Sequence, residues 1–393
     1  MKKIILAYSG GLDTSCITRW LKDKGYDVIC FVADLGQGLG RDEDFSKVRE
    51  RAIKAGASKV YIKDLKNEFV NDFIMPALKA NAIYEGKYLL ATALGRPLIA
   101  KYLVDIAHRE NAGAVAHGCT GKGNDQVRFD VTTGILDSRL EIIAPVRAWE
   151  FKSREEEIEY ALKKKIPIDV TKKKPYSLDK NLWGVSIESG VLEDPWKEPP
   201  ADCYKWTKSP MEAPDKATYI EVEFEKGVPK KINKKIYTAI GLIAKLNAVG
   251  GANGIGRVDC IENRLVGIKS REVYEAPAAT ILYAAHKELE ALVLDRELAH
   301  YKELISLKYS ELVYYGLWYS DLRLAMDKFV DNTQKNVSGA VRLKLYKGSC
   351  VAVGRKSPHS LYKYRLATYS KDDKFNQRLA EGFIKLFGMP FQK

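Results

Sequence analysis

Seven consecutive residues near the start of the chain, Ser9-Gly10-Gly11-Leu12-Asp13-Thr14-Ser15, combine three hydroxyls, two adjacent glycines and a carboxylate. Placed between a strand and a helix, such a stretch can gather backbone N–H groups and the hydroxyls of Ser9, Thr14 and Ser15 around one anion. Adjacent glycines let the backbone come close to phosphate and take positive φ, which a β-carbon resists. No lysine precedes the Thr/Ser pair, so this is not the lysine-bearing loop that grips the terminal phosphates of NTPases. A cradle of this kind suits pyrophosphate leaving as one unit, although a lone Gly-Gly is more often only a tight turn. A second polar stretch, Gly118-Cys119-Thr120-Gly121-Lys122-Gly123-Asn124-Asp125-Gln126-Val127-Arg128, supplies glycines, hydroxyl and amide donors, a carboxylate and two cations able to meet carboxylates.

Both stretches need a scaffold that aims them at one place. Short apolar or β-branched runs at Ile4 to Tyr8, Val28 to Val32, Lys59 to Ile62, Ala114 to His117 and Ile142 to Ala144 read as strands. Thr14 to Lys24, Asp44 to Ala55, Phe69 to Ala80 and Leu94 to Arg109 carry apolar residues at helical spacing, with Gly25, Gly56 and Gly113 as stops. This alternation predicts an α/β fold: a parallel sheet covered on both faces, with ligands beyond the carboxyl ends of its strands, where both polar stretches fall. Ser153 to Lys165 reads as a further helix, capped by Ser153, acidic in its first turn and basic in its last. Lys172-Lys173-Lys174-Pro175 then reads as a crossing between domains.

Beyond that crossing, Tyr219 to Phe224 alternates polar with apolar, and Val341 to Tyr346 and Cys350 to Val353 flank Lys347-Gly348 as a hairpin. Antiparallel strands with intervening helices are expected there. Gly250 to Gly256 superficially looks like a dinucleotide fingerprint but follows a helical stretch, and reads as a flexible loop with a role in covering the site. Near the end, Phe375, Leu379, Phe383 and Phe387 recur at helical spacing. Such a tail helix needs a partner, its own domain or another subunit, and its terminal position favours the second.

With 393 residues, 46% of them hydrophobic and 29% charged, the chain can bury a sizeable core. No apolar run approaches the roughly 20 residues needed to span a bilayer. The basic start Met1-Lys2-Lys3 leads into no secretory pattern, so a cytoplasmic protein without a membrane partner is expected. The six cysteines are scattered, with no C-x-x-C pair and no histidine at ligand spacing. They read as reduced structural thiols, and no metal site built from protein ligands is expected. The formal net charge of +13 suits either nucleic acid or an anionic small substrate. Because the lysines are dispersed and lack aromatic stacking platforms, a solvated surface is the expectation, with no nucleic-acid partner.

In this setting Ser9 to Ser15 resembles the pyrophosphate loop of the N-type ATP pyrophosphatase superfamily. That resemblance implies cleavage of ATP between its α- and β-phosphates and transfer of AMP to an acceptor oxygen. It places Ala7, Tyr8, Ser9, Gly10, Gly11, Leu12, Asp13, Thr14 and Ser15 along the triphosphate and Ala33 beside the adenine. Further stretches are similar to the argininosuccinate synthase family: Tyr88-Leu89-Leu90, Arg96-Pro97, Gly118 to Phe129, Tyr176-Ser177 with Asn181-Leu182, Glu262-Asn263-Arg264, Tyr274-Glu275, Val341 to Tyr346, and Gly354 to Pro358.

The likeness implies a ligase that joins citrulline to aspartate, releasing AMP and pyrophosphate, in the cytoplasm and as a homotetramer. By it, Gly118 touches ATP, Thr120, Asn124 and Asp125 receive aspartate, Asn124 also reaches citrulline, and Arg128 clamps the citrulline carboxylate. Tyr88, Ser177, Ser186, Glu262 and Tyr274 complete the citrulline pocket, with Glu262 facing the α-ammonium. Asp13, Asp125 and Arg128 are the expected catalytic residues, and Mg²⁺ is expected on the phosphates of ATP, near Asp13. The implied domains are a Rossmann-like nucleotide-binding domain at 1–168, an α+β synthetase and multimerisation domain at 169–365 and a C-terminal oligomerisation helix at 366–393.

Two departures from the family pattern stand out. Ala91-Thr92-Ala93 replaces the usual Gly-Thr-Ser, so a hydroxyl is missing at Ala93 and Thr92 is the candidate substitute; and the loop Gly36 to Asp42 is longer and richer in glycine. A transfer-RNA-modifying member of the same superfamily is the rival reading, favoured by the positive charge. A non-catalytic basic binding module would leave Gly118 to Arg128 without a purpose.

Overall fold

The computed structural model describes residues 1–38, 44–167 and 176–393; the Lys172 to Pro175 crossing and most of the Gly36 to Asp42 loop lie outside the described residues. Strands β1 (Lys2–Ala7), β2 (Tyr26–Asp34), β3 (Lys59–Asp64), β4 (Ala114–Ala116) and β5 (Glu141–Ile143) form one parallel sheet in the order β3-β2-β1-β4-β5. Along β1, Ile5 packs into a core with Ile29, Phe31 and Val115, whereas Ile4 and Leu6 enter a second core with Val28, Cys30 and Ala116. Both faces are therefore dry, which is why these strands read as unbroken apolar runs. From β1 the chain winds one way through β2 and β3 and the other way through β4 and β5. Such a reversal opens a crevice at the carboxyl ends of β1 and β4. The two polar stretches follow those two strands.

Ser153 is the cap expected from the sequence, whereas the helices expected from Thr14 and Leu94 begin earlier, at Leu12 and Ala91. Asp44 accepts from the Ser46 N–H ahead of Phe45–Ala55, and Ser153 accepts from the Glu156 N–H ahead of Arg154–Lys163. Gly25 and Gly56 stop their helices at φ +89° and +119°. The third stop differs: the helix Ala91–Glu110 ends on Asn111 at φ +51°, two residues before Gly113. Asparagine tolerates the left-handed conformation, so the glycine is not needed there. Phe69 to Ala80 is not one regular helix but a wide-turned segment, Phe69–Ile74, running into the α-helix Met75–Lys79. Pro76, which has no N–H to donate, sits at the change.

The later chain is antiparallel, as expected. β6 (Ser177–Asn181), β7 (Gly184–Glu188), β11 (Arg257–Asn263) and β12 (Lys269–Glu275) form a sheet in the order β11-β12-β7-β6. β8 (Thr218–Glu225), β9 (Val228–Ile232), β10 (Lys235–Ile236), β13 (Gly339–Tyr346) and β14 (Ser349–Lys356) form another, in the order β10-β9-β8-β13-β14. Lys347 and Gly348 close the β13–β14 hairpin at φ +45° and +87°, the paired positive values of the tight turn that matches strand twist. The β6–β7 hairpin is stitched to the parallel-sheet half. The Leu182 N–H donates to the Leu35 carbonyl at 2.8 Å, and Trp183 Nε1 donates to the Leu89 carbonyl at 2.9 Å. The antiparallel sheet therefore faces the crevice.

The glycine-rich stretch Gly250 to Gly256 is not a flexible cover. Gly250 and Gly251 belong to the helix Ala239–Ala252, and a β-carbon at Gly251 would lie 2.2 Å from the Trp206 carbonyl oxygen. At Gly256, at φ +98°, a β-carbon would lie 2.5 Å from the Pro277 nitrogen, so close packing accounts for these glycines. The tail helix is Arg378–Gly388, with Leu379, Phe383 and Phe387 exposed and Phe375 ahead of it. No helix among the described residues is long and apolar enough to cross a membrane.

Candidate active site

One cleft of about 640 Å³ opens where the fold predicts a crevice, floored by the ends of β1, β2 and β4 and walled by β6, β7, β11 and β12. At its phosphate end, the helix Leu12–Asp23 begins at Gly11 with no side-chain cap. Its first N–H groups are thus available to an anion. The Ser9 and Thr14 hydroxyls stand 3.1 Å apart, and the Gly11 N–H donates to Ser9 Oγ at 3.3 Å. Gly10 sits at φ +79°, where a β-carbon would also press to 3.1 Å from Val48 Cγ1. Arg51 holds the Gly10 carbonyl from outside the loop. Ala7, Tyr8, Ser9, Gly11, Leu12, Asp13, Thr14, Ala33 and Gly118 line the cleft.

Gly10 and Ser15 are not among the lining residues. Ser15 supports the loop from behind, its hydroxyl donating to the Gly11 carbonyl at 2.7 Å and lying 2.9 Å from the Tyr8 hydroxyl. Asp13 is exposed at the loop. Glu157, on the neighbouring helix, is pushed up to about 8 by burial and then by the Asp13 carboxylate.

Every residue expected to meet an amino-acid substrate (Tyr88, Thr92, Thr120, Asn124, Asp125, Arg128, Ser177, Ser186, Glu262 and Tyr274) lines the same cleft. Buried Arg128 donates from Nη1 to Asp125 at 2.7 Å and from Nε to the Tyr314 carbonyl at 2.9 Å. Asp125 also accepts from Arg96 at 2.8 Å. Burial pushes Asp125 upward, but the Arg96 and Arg128 guanidiniums prevail and hold it well below the usual carboxylate range. Glu262 accepts from the phenols of Tyr274 and Tyr314. Burial raises it all the same, since phenols offset lost hydration less than a cation in contact would.

The Tyr88 and Tyr274 rings stack with centroids 4.3 Å apart. The Tyr88 hydroxyl lies 2.5 Å from Thr92 Oγ1 and accepts from the Ala93 N–H at 3.2 Å. Ala93 itself is fully buried and does not line the cleft, whereas Thr92 does, so Thr92 supplies the hydroxyl on this wall.

Several charged residues in the cleft have no role in the sequence-based reading. Arg96 bridges Asp125 to Asp179 on β6. Arg264 reaches the Lys122 carbonyl at 3.1 Å, Glu188 at 3.1 Å and Glu272 at 2.5 Å, pinning the Gly118 to Arg128 stretch to the antiparallel sheet. Glu272 is pushed up to about 7 by burial and the nearby Glu188. Arg96 and Arg264 do fall in stretches that carry the family likeness, which was the available signal. Tyr314 had none.

Among the described residues no three His, Cys, Asp or Glu side chains converge as a metal site. All six thiols are free and raised by burial, Cys16, Cys30 and Cys260 to about 12.

Comparison with known proteins agrees with this geometry. Residues 3–167 match the family model described as the arginosuccinate synthase N-terminal HUP domain, and residues 176–393 match the arginosuccinate synthase C-terminal domain. An argininosuccinate synthase of Caldanaerobacter subterraneus is 58% identical over 99% of this chain and 94% of its own length. One of Desulfitobacterium hafniense is 58% identical over 100% of this chain and 97% of its own. Among solved structures, a 4-thiouridine synthetase–RNA complex with bound ATP is 18% identical, covering 42% of this chain and 40% of that one at a TM-score of 0.30, too slight a likeness to carry an argument. Identity this high from end to end, over a fold whose cleft gathers the expected side chains, makes the chain a member of the argininosuccinate synthase family.

Proposed function

We propose that this chain ligates citrulline to aspartate at the expense of ATP, releasing AMP and pyrophosphate, as a step of arginine biosynthesis. The observation that carries the reading is the junction of an uncapped helix start with a carboxylate- and guanidinium-lined pocket in one cleft. The ureido oxygen of citrulline attacks the α-phosphorus, and the bond to the bridging oxygen breaks so that pyrophosphate leaves as a unit. The aspartate nitrogen then attacks the activated carbon, loses a proton and expels AMP. No protein atom needs to bond to substrate. Orientation of bound reactants can supply roughly 7–11 kcal/mol of barrier lowering.

In this reading Arg128 clamps the citrulline carboxylate through the part of its fork that Asp125 and Tyr314 leave over, and Glu262 takes the α-ammonium. Thr120, Asn124 and Asp125 receive aspartate, while Tyr88, Thr92, Ser177, Ser186 and Tyr274 enclose citrulline. The donor set fits Mg²⁺ only as an ion carried by ATP: phosphate oxygens and water would be its main ligands, with Asp13 the neighbouring carboxylate. Its chemistry there is neutralisation of phosphate charge.

The proposal includes a nucleotide-binding domain at 1–168, a synthetase domain at 169–365 and an oligomerisation helix at 366–393, assembled as a cytoplasmic homotetramer. Exposed Leu379, Phe383 and Phe387 support the oligomer. Sulfur transfer to transfer RNA would need a reactive thiolate, and the buried, raised thiols speak against it. Incubation with ATP, citrulline and aspartate, omitting each in turn, tests the reading. AMP and pyrophosphate should form only with citrulline present; ADP and orthophosphate as coupled products would overturn it.

A further inference from the structure

Tyr314 closes the helix Arg296–Tyr314, 190 residues from Asn124 in sequence, and it is fully buried. Its phenol accepts from Asn124 Nδ2 at 2.6 Å and donates to Glu262 at 2.8 Å. Its backbone carbonyl accepts from Arg128 Nε at 2.9 Å, and the Arg128 guanidinium lies 4.8 Å from its ring centroid. On the other side the ring stacks on Tyr84 with centroids 3.6 Å apart, which fixes its plane. One residue thus touches Asn124 and Arg128 on the helix Asn124–Leu136 and Glu262 on β11, all three lining the cleft, while not lining it itself.

We propose that Tyr314 is the positioning residue for amino-acid recognition, its phenol locking the Asn124 amide and the Glu262 carboxylate into one register. The phenol has one proton to give, and Asn124 occupies its acceptor side, so that proton goes to Glu262. The carboxylate is therefore aimed as an acceptor, ready for an ammonium. The Asn124 amide is likewise fixed in orientation, its oxygen accepting the Leu265 N–H at 2.9 Å while its nitrogen serves the phenol.

Glu262 is faced by Cys260 on its own strand, Tyr274 and Glu272 on β12, Arg128 on the helix Asn124–Leu136, Arg264 after β11, and Tyr84 and Tyr88 ahead of the helix Ala91–Glu110. The phenol of Tyr274, that of Tyr314 on the helix Arg296–Tyr314, and the Arg128 and Arg264 guanidiniums favour its charged form, against burial. Removing one phenol therefore moves the ionisation of Glu262 to higher pH.

This inference rests on the citrulline and aspartate reading above. Its test is Tyr314→Phe, which keeps the ring stack and the carbonyl that holds Arg128. Loss of a hydrogen bond to a charged group corresponds to roughly tenfold or more. We expect the citrulline KM to rise about tenfold, the aspartate KM to rise with it, and the ATP KM and melting temperature to stay near those of the unsubstituted protein. The acid limb of kcat/KM for citrulline should move up by about one pH unit. A merely structural role would lower stability and active fraction without moving that limb.

An unmoved acid limb and an unchanged citrulline KM overturn the role of Tyr314 while leaving the reaction intact. Failure of the unsubstituted protein to form AMP with citrulline overturns the reaction, and this inference with it. If Tyr314→Phe does not fold, Asn124→Asp, which puts an acceptor in place of the amide donor, provides the second arm. It should raise both amino-acid KM values, and unchanged values again overturn the proposal.

Discussion

A glycine outside every motif should control citrulline binding. Gly316, just beyond the helix that ends at Tyr314, sits at φ +75°, and a β-carbon there would lie 2.6 Å from Arg128 Cα and 3.2 Å from Arg128 Cβ. Ordinary contact begins at 3.4 Å, so Gly316→Ala must displace the Arg128 backbone by about 0.8 Å or move the turn by as much. The nearest neighbour is backbone, which cannot swing aside. The left-handed conformation adds roughly 1–2 kcal/mol of strain for alanine, and overpacking typically costs about 1–3 kcal/mol. Against the 5–15 kcal/mol of a typical fold, the protein should remain folded. A misplacement near 1 Å of a group that orients substrate can cost about 100-fold. The expected outcome is a loss of that order in kcat/KM for citrulline, with the ATP KM as internal control because the phosphate loop lies on other elements. Steady-state AMP formation across a citrulline titration, paired with thermal unfolding, measures both. A folded variant whose citrulline kcat/KM stays within twofold of the unsubstituted protein would refute the idea that this turn fixes Arg128.

Arg128→Lys should raise the citrulline KM about tenfold or more, because lysine cannot keep directed bonds to Asp125 and the Tyr314 carbonyl and still present a fork to a carboxylate; an unchanged KM in the same titration removes the reason for placing it there. Asp13→Asn should depress the rate of AMP formation while the citrulline KM holds, and the reverse pattern would separate Asp13 from the phosphate chemistry. Phe383→Glu with Phe387→Glu, both on the exposed stripe of the tail helix, should shift sedimentation from the proposed homotetramer to smaller species. An unshifted profile would mean that the stripe is not what joins subunits.

What the sequence revealed divides along physical lines. The parallel sheet was legible because each strand is buried on both faces, so Ile4, Ile5 and Leu6 had to be apolar together. The Ser153 cap was legible because it is local, serving an N–H three residues ahead. Gly250 and Gly251 misled for the opposite reason. Gly250 answers to Pro277 and Ile281 and Gly251 to Trp206, neighbours outside their helix that no local pattern announces.

The candidate site follows the same rule, with a consequence for how it works. Residues that touch phosphate or substrate cluster in short motifs, because a loop that wraps a ligand must supply several contacts in a few residues. Residues that hold those groups need only be near them in space. Tyr314 and Gly316 sit nearly 190 residues from the residues they contact, at the end of the helix Arg296–Tyr314. Arg264 likewise reaches back 142 residues to the Lys122 carbonyl. The amino-acid end of the cleft is thus held by several long-range ties from residues 122–132 to the later chain. Its geometry needs both sheets in place, whereas the Ser9 to Ser15 loop is held mostly by ties within the first 51 residues, Arg51 on the Gly10 carbonyl and Ser15 on the Gly11 carbonyl among them.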